Sequence, residues 1–140
     1  MRLFFDTSVI LSATASSRGA SRWILEEYSI YKWQLLSANY CKEETLHNLE
    51  KVGENAREIF SSLIEPSIKW KADTWVADYP LLFPKAKDRP VVLAALAAEA
   101  DYLITLDRND FHGLLGNFVY SVSIRTPGDF LMEMREKSVL

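Results

Sequence analysis

The chain has 140 residues, about the length of one domain, of which 49% are hydrophobic and 25% charged. Its single cysteine, Cys41, excludes an intramolecular disulfide and any metal site built from several cysteines. The net charge of -3 argues weakly against a nucleic-acid partner, yet two divalent cations held by acids would bring the loaded protein to about +1. With no secretory leader and no run of about 18 apolar residues, we expect one cytoplasmic domain over residues 1–140 and no membrane span.

Strands and helices are predicted to alternate along the chain. In the first half we expect a strand over residues 2–5, a short helix from Thr7 or Ser8, a helix over 20–28, a strand over 33–38 leading to a cap at Asn39, and helices over 40–51, broken by Gly53, and over 55–64, stopped by Pro66. In the second half we expect a short strand near Ile68, a helix over 73–79, a largely apolar helix over 91–100, strands over 101–106 and 118–124, and a last helix opened by Pro127. This pattern favours an α/β fold with a parallel sheet between two helical layers, in which ligands bind outside the carboxyl ends of the strands.

Two aspartates stand where predicted strands end. Asp6 follows "RLFF" and Asp107 follows "YLIT" and a leucine. Each aspartate alone is equally well explained as a helix cap or a turn residue. If the two strands are neighbours about 4.8 Å apart, however, their carboxylates meet and repel. A divalent cation would remove that conflict, so the pair indicates a metal site.

Other acids are sorted by the edge of the sheet on which they should lie. Asp88 precedes the apolar helix and is a natural cap for it, but in a right-handed strand–helix–strand unit a helix begins at the carboxyl edge. Helical geometry puts Glu44 at the flank of a buried arc and turns Glu43 towards water. Asp101 precedes its strand and should lie at the opposite edge with a structural role. Asp110 is either an outer ligand or, preferably, a turn cap.

Four stretches carry a family resemblance over nearly the whole chain: "RLFFDTSVILSA", "EETLHNL", "KDRPVVLAALAAEADYLITLDRNDF" and "IRTPGDFL". They resemble the PIN domain family, short ribonucleases of which many, the VapC-like group, are toxins of toxin–antitoxin pairs. The resemblance implies a three-layer α/β/α fold with a central parallel sheet of about five strands. It also implies a quartet of acids that binds Mg²⁺ or Mn²⁺, which here matches Asp6, Glu44, Asp88 and Asp107. Many members have asparagine where this chain has Ser8.

Such a quartet suits hydrolysis of a phosphodiester bond. Mg²⁺ prefers carboxylate oxygens and retained waters, and it makes a bound water more acidic. Supporting side chains that we expect to orient a ligand or a water are Thr7, Ser8, Thr105 and Asp110. Cations that flank the acids and are expected to contact the RNA backbone are Lys85, Lys87, Arg89 and Arg108. The resemblance implies RNA as the substrate, an antitoxin as a protein partner and a homodimer as the assembly.

Two alternatives remain open at the level of sequence. A PIN-like scaffold without catalysis would act as a binding module, although the intact quartet argues against this. A Mg²⁺-dependent phosphatase that forms an aspartyl-phosphate on Asp6 would need a second acid two residues later, where the chain has Ser8. The glycines form no phosphate-binding P-loop, which excludes nucleotide hydrolysis of that kind.

Overall fold

A computed structural model describes residues 1–73, 88–107, 118–119 and 121–140, with the backbone alone at 88–90 and 118–119. Its strands are β1 (Arg2–Phe5), β2 (Gln34–Ala38), β3 (Ile68–Lys71), β4 (Tyr102–Ile104), β5 (Phe118–Val119) and β6 (Val122–Arg125). Its α-helices are α1 (Thr7–Ala15), α2 (Ala20–Glu27), α3 (Asn39–Asn48), α4 (Ala56–Ile59), α5 (Glu65–Ser67), α6 (Asp88–Ala97) and α7 (Pro127–Glu136). A 3₁₀ turn (Leu49–Lys51) follows α3, and a π-helical turn (Phe60–Ile64) joins α4 to α5.

One sheet has the strand order β3-β2-β1-β4-β6-β5. The first five strands in that order are parallel, and β5 pairs antiparallel with β6 at the edge. The chain moves outwards from β1 to β3 and then returns to the other side of β1 with β4, so the strand order reverses between β1 and β4. That pair is in register at Phe5 and Ile104. In an open parallel sheet, the crevice at such a reversal is where ligands usually bind.

The sheet lies between two helical layers. Helices α1, α2, α3 and α7 pack on one another, whereas α6 lies against β2 and β4. The strands between these layers are strongly apolar, and Leu3, Phe4 and Phe5 of β1 are all fully buried, as expected for a parallel sheet covered on both faces. The predicted three-layer α/β/α fold is therefore confirmed. Within the described ranges, no helix has both the length and the apolar character that a membrane crossing requires.

Local chemistry explains where the helices at the carboxyl edge begin. Asp6 has an extended backbone, and its carboxylate accepts a hydrogen bond from the Thr7 N–H, which caps α1. Thr126 caps α7 in the same way by accepting from the Asp129 N–H at 3.1 Å. Pro127 follows in the first turn, where a missing N–H costs nothing.

Three local predictions were wrong. The single strand expected over 118–124 is replaced by two antiparallel strands, β5 and β6. Pro66 does not stop the preceding helix. The π turn replaces the i→i+4 backbone hydrogen bonds by i→i+5 bonds, and a new helix, α5, starts with Pro66 in its first turn. Asn39 is the first residue of α3 and not its cap; instead the Asp73 carboxylate accepts a bond from the Tyr40 N–H at 2.9 Å. Most of the helix expected over 73–79 lies outside the described residues.

Candidate functional site

Asp6 stands at the carboxyl end of β1, next to β4. Its backbone N–H donates to the Ile104 carbonyl at 3.0 Å, which extends the β1–β4 ladder by one bond. Its Oδ1 accepts from the Thr7 N–H at 2.8 Å. Its Oδ2 accepts from two hydroxyls, Ser8 Oγ at 3.2 Å and Thr105 Oγ1 at 2.8 Å. Since Oδ1 accepts a single bond among the described residues, it is the oxygen with spare acceptor capacity.

The same two hydroxyls tie Asp6 to the segment after β4. Ser8 Oγ accepts from the Leu106 N–H at 3.0 Å, and Thr105 Oγ1 accepts from the Asp107 N–H at 3.1 Å. Each hydroxyl therefore accepts from that segment and donates to the Asp6 carboxylate. This arrangement fixes the backbone of Asp107 relative to Asp6, so the two acids expected at neighbouring strand ends are held at one place.

Charge repulsion is built into this arrangement. Burial is the main cause that raises the pKa of Asp6 above its usual range, and the negative charge of half-buried Asp107 raises it further. The hydrogen bonds from Thr105, Thr7 and Ser8 oppose this rise because they favour the ionised form. The net effect is a carboxylate that is costly to ionise in the absence of a cation.

Glu44 approaches the same group from α3. Although the residue as a whole is exposed, burial of its carboxyl group and repulsion by Asp6 raise its pKa. The Thr7 side chain opposes this rise. The buried Oγ1 of Thr7 makes no hydrogen bond of ordinary geometry with a described residue. A buried hydroxyl without a partner is a spare oxygen beside the two acids.

Two neighbours of the acids, Tyr40 and Cys41, were not assigned to the site from the sequence. Cys41 is fully buried, and burial together with the charge of Asp6 raises the pKa of its thiol to about 11. Burial also raises the pKa of Tyr40, and Cys41, Asp6 and Glu44 raise it further. Both residues are therefore neutral at physiological pH in the metal-free protein. Both lie in the first turn of the helix that follows β2, and this position at the carboxyl edge of the sheet could have indicated that they lie beside the acids.

The chemistry of this donor set fits a hard cation. Carboxylates at Asp6, Glu44 and Asp107 and the hydroxyl of Thr7 are the oxygen donors that Mg²⁺ prefers, and a positive charge would offset the repulsion that raises their pKa values. In the conformation described, no three histidine, cysteine, aspartate or glutamate side chains among the described residues lie close enough to hold one metal ion. The interactions seen are pairwise and centred on Asp6.

The remaining predicted site residues fall into two groups. α6 begins at Asp88, three residues before the helix predicted over 91–100, so Asp88 belongs to the helix instead of preceding it; the side chains of Asp88 and Arg89 are not described. The predicted residues that lie outside the described ranges are Lys85, Lys87, Arg108 and Asp110. The acid expected to be structural behaves as predicted, because Asp101 lies at the opposite end of β4 and accepts a bond from the Arg2 N–H at 2.7 Å.

No protein-family model matches this chain, and neither a curated protein nor a solved structure is significantly similar to it.

Proposed function

We propose that this chain is a metal-dependent endoribonuclease that hydrolyses RNA phosphodiester bonds with Mg²⁺ or Mn²⁺. The observation that supports this most strongly is the grouping of Asp6, Glu44 and Asp107. Asp6 lies where the strand order reverses, and Asp107 and Glu44 each interact electrostatically with it. Acids that repel one another at a ligand-binding edge are typical of a functional site rather than of a stabilising one.

Each residue has a distinct part in this proposal. Asp6, Glu44 and Asp107 would hold the cation, joined by Asp88 at the start of α6. When bound, the cation supplies a more acidic water and positive charge opposite the phosphate. Ser8 and Thr105 keep the Asp6 carboxylate in one orientation, which leaves Oδ1 as its donor oxygen.

The substrate class and the biological role rest on the resemblance to the PIN domain family. RNA as the substrate, an antitoxin as an inhibitory partner, a homodimer and a cytoplasmic location all belong to this proposal. One feature of the sequence is consistent with RNA as the substrate: the basic residues in "KAKDRP" and "LDRND" flank Asp88 and Asp107. Their side chains, at Lys85, Lys87, Arg89 and Arg108, are proposed to contact the RNA backbone.

The proposal is tested by cleavage of defined nucleic acids. Purified protein is incubated with tRNA, rRNA and single-stranded DNA in Mg²⁺, in Mn²⁺ or in excess chelator, and the products are resolved on denaturing gels. Asp6→Asn is compared with Asp101→Asn, a matched acid-to-amide change at the opposite edge of the sheet. We expect cleavage of RNA that chelator abolishes, that Asp6→Asn lowers by at least about 100-fold, and that Asp101→Asn leaves unchanged.

Other outcomes discriminate between the alternatives. RNA cleavage that persists in chelator would contradict the metal mechanism. Tight metal binding with no cleavage of any nucleic acid would favour the binding module. A covalent phosphate trapped on Asp6 would favour the phosphatase. Circular dichroism of both variants shows whether a loss of activity comes from unfolding.

A further inference from the structure

A second surface of interest lies between α2 and α7, away from the acids. Packing of these two helices leaves a groove of about 340 Å³. Its apolar wall consists of Trp23, Leu131 and Leu140, and Arg18 and Arg135 stand at its rim. The groove is at the small end of the range for ligand clefts, with room for one or two bulky side chains. It is separated from Asp6 by the length of α1, about 14 Å for nine residues.

The tryptophan in the groove is exposed but held firmly. Trp23 is 36% exposed, and its ring lies 6.0 Å from that of Tyr31. Tyr31 in turn stacks on Trp33 at 4.8 Å, and Trp33 meets the fully buried Phe130 edge-on at 5.1 Å. This aromatic row anchors an exposed indole to the core. A rigid, partly exposed aromatic ring loses little entropy on binding, which is why such residues dominate binding energy at interfaces.

The charge on the groove identifies what would bind there. Arg18 and Arg135 are exposed, and neither guanidinium forms an ion pair or a hydrogen bond with a described residue. Among the described residues, the side chains that line the groove include no acid, although the chain as a whole is acidic, with a net charge of -3. A local excess of positive charge around an apolar wall is complementary to carboxylates placed beside apolar side chains.

We propose that this groove docks a segment of a partner protein that combines acidic residues with one or two bulky apolar side chains. The apolar side chains contact Trp23, Leu131 and Leu140, and the carboxylates pair with Arg18 and Arg135. Arginine suits this role because its planar guanidinium binds a carboxylate through two hydrogen bonds. The proposal is independent of the nuclease proposal, since the groove and the acids lie at opposite ends of α1.

The test uses random 12-residue peptides displayed on phage and selected on the full chain, with counter-selection on the double variant Trp23→Ala/Arg135→Glu. We expect the enriched peptides to be acidic and to carry leucine, phenylalanine or tryptophan. One enriched peptide is then labelled, and its binding is followed by fluorescence anisotropy. Arg18→Glu and Arg135→Glu should each weaken binding by about tenfold or more, and added salt should weaken it as well.

Lys51→Glu is the matched control, because it makes the same charge reversal at an exposed residue outside the groove. Binding to this variant should equal binding to the wild-type chain. The proposal would be overturned by an absence of enrichment over the double variant, or by equal losses from Lys51→Glu and Arg135→Glu. It would also be overturned by a concentration-dependent dimer that Arg135→Glu abolishes, which would assign the groove to a second copy, or by displacement of the peptide by RNA. Thermal unfolding of each variant confirms that it is folded.

Discussion

Thr105 joins the two central acids, so its replacement by valine tests the geometry of the site without a change in shape. The hydroxyl donates to Asp6 Oδ2 at 2.8 Å and accepts from the Asp107 N–H at 3.1 Å, and the residue is fully buried. A lost bond to a carboxylate costs about 1.5–3 kcal/mol, and a lost neutral bond costs about 1 kcal/mol. The free energy of unfolding should therefore fall by about 2.5–4 kcal/mol, which corresponds to a drop in Tm of roughly 10 °C for a chain of this size.

Thr45→Val is the matched control for this experiment. Thr45 is equally buried, and its hydroxyl donates only to the Cys41 carbonyl one helical turn away, at 2.7 Å. We expect a loss below about 1 kcal/mol, since that carbonyl is placed to accept a helical backbone bond. Equilibrium unfolding in urea measures both variants. Equal losses for Thr105→Val and Thr45→Val would refute the view that Thr105 supports an ionised Asp6.

The pH dependence of stability gives a further test of Thr105→Val, and the same structure leads to two more predictions. Because the Thr105 bond favours ionised Asp6, the destabilisation by Thr105→Val should be larger above the raised pKa of Asp6 than at pH 4. A destabilisation that does not change with pH would contradict this. Because the pKa of Asp6 is raised in the folded chain, the unfolded chain loses this proton at a lower pH. Metal-free wild type should therefore lose stability relative to Asp6→Asn as the pH rises from about 4 through the raised pKa. Urea unfolding in chelator across this range measures the difference, and a stability difference between the two proteins that is the same at every pH would contradict the prediction. Phe130→Ala should cost about 3–5 kcal/mol, because the ring is fully buried and meets both Trp33 and Tyr102 edge-on at 5.1 and 5.0 Å; a loss below about 1 kcal/mol in urea would contradict the packing described.

Part of the site was predictable because the carboxyl ends of parallel strands all lie at one edge of the sheet. The apolar stretch before Asp6 and the one before Asp107 identified two strands, and the rule on carboxyl ends then placed both acids on one edge. Helical geometry placed Glu44 at the edge of the buried face of α3, which carries Cys41 and Thr45. These inferences needed only local periodicity and chain order.

Other features depend on contacts between distant residues, which local patterns do not contain. The division of this stretch into β5 and β6 was missed because "FVYSVSI" has no glycine, proline or asparagine to indicate that a strand ends there. The double role of Ser8 and Thr105 depends on the register between β1 and β4. Trp33 could not be assigned from the sequence either, since its role in the aromatic row from Trp23 to Phe130 appears only when α2 and α7 pack together.

The central claim is that the acids at the reversal between β1 and β4 bind a divalent cation, and direct binding of Mn²⁺ tests it most closely. Calorimetric titration of the metal-free protein, followed by competition with Mg²⁺, should give saturable binding at pH 7 that weakens as the pH falls towards 4. Asp6→Asn and Asp107→Asn should each abolish it, while Asp101→Asn should leave it intact. Binding of equal strength in wild type and in folded Asp6→Asn would contradict the account.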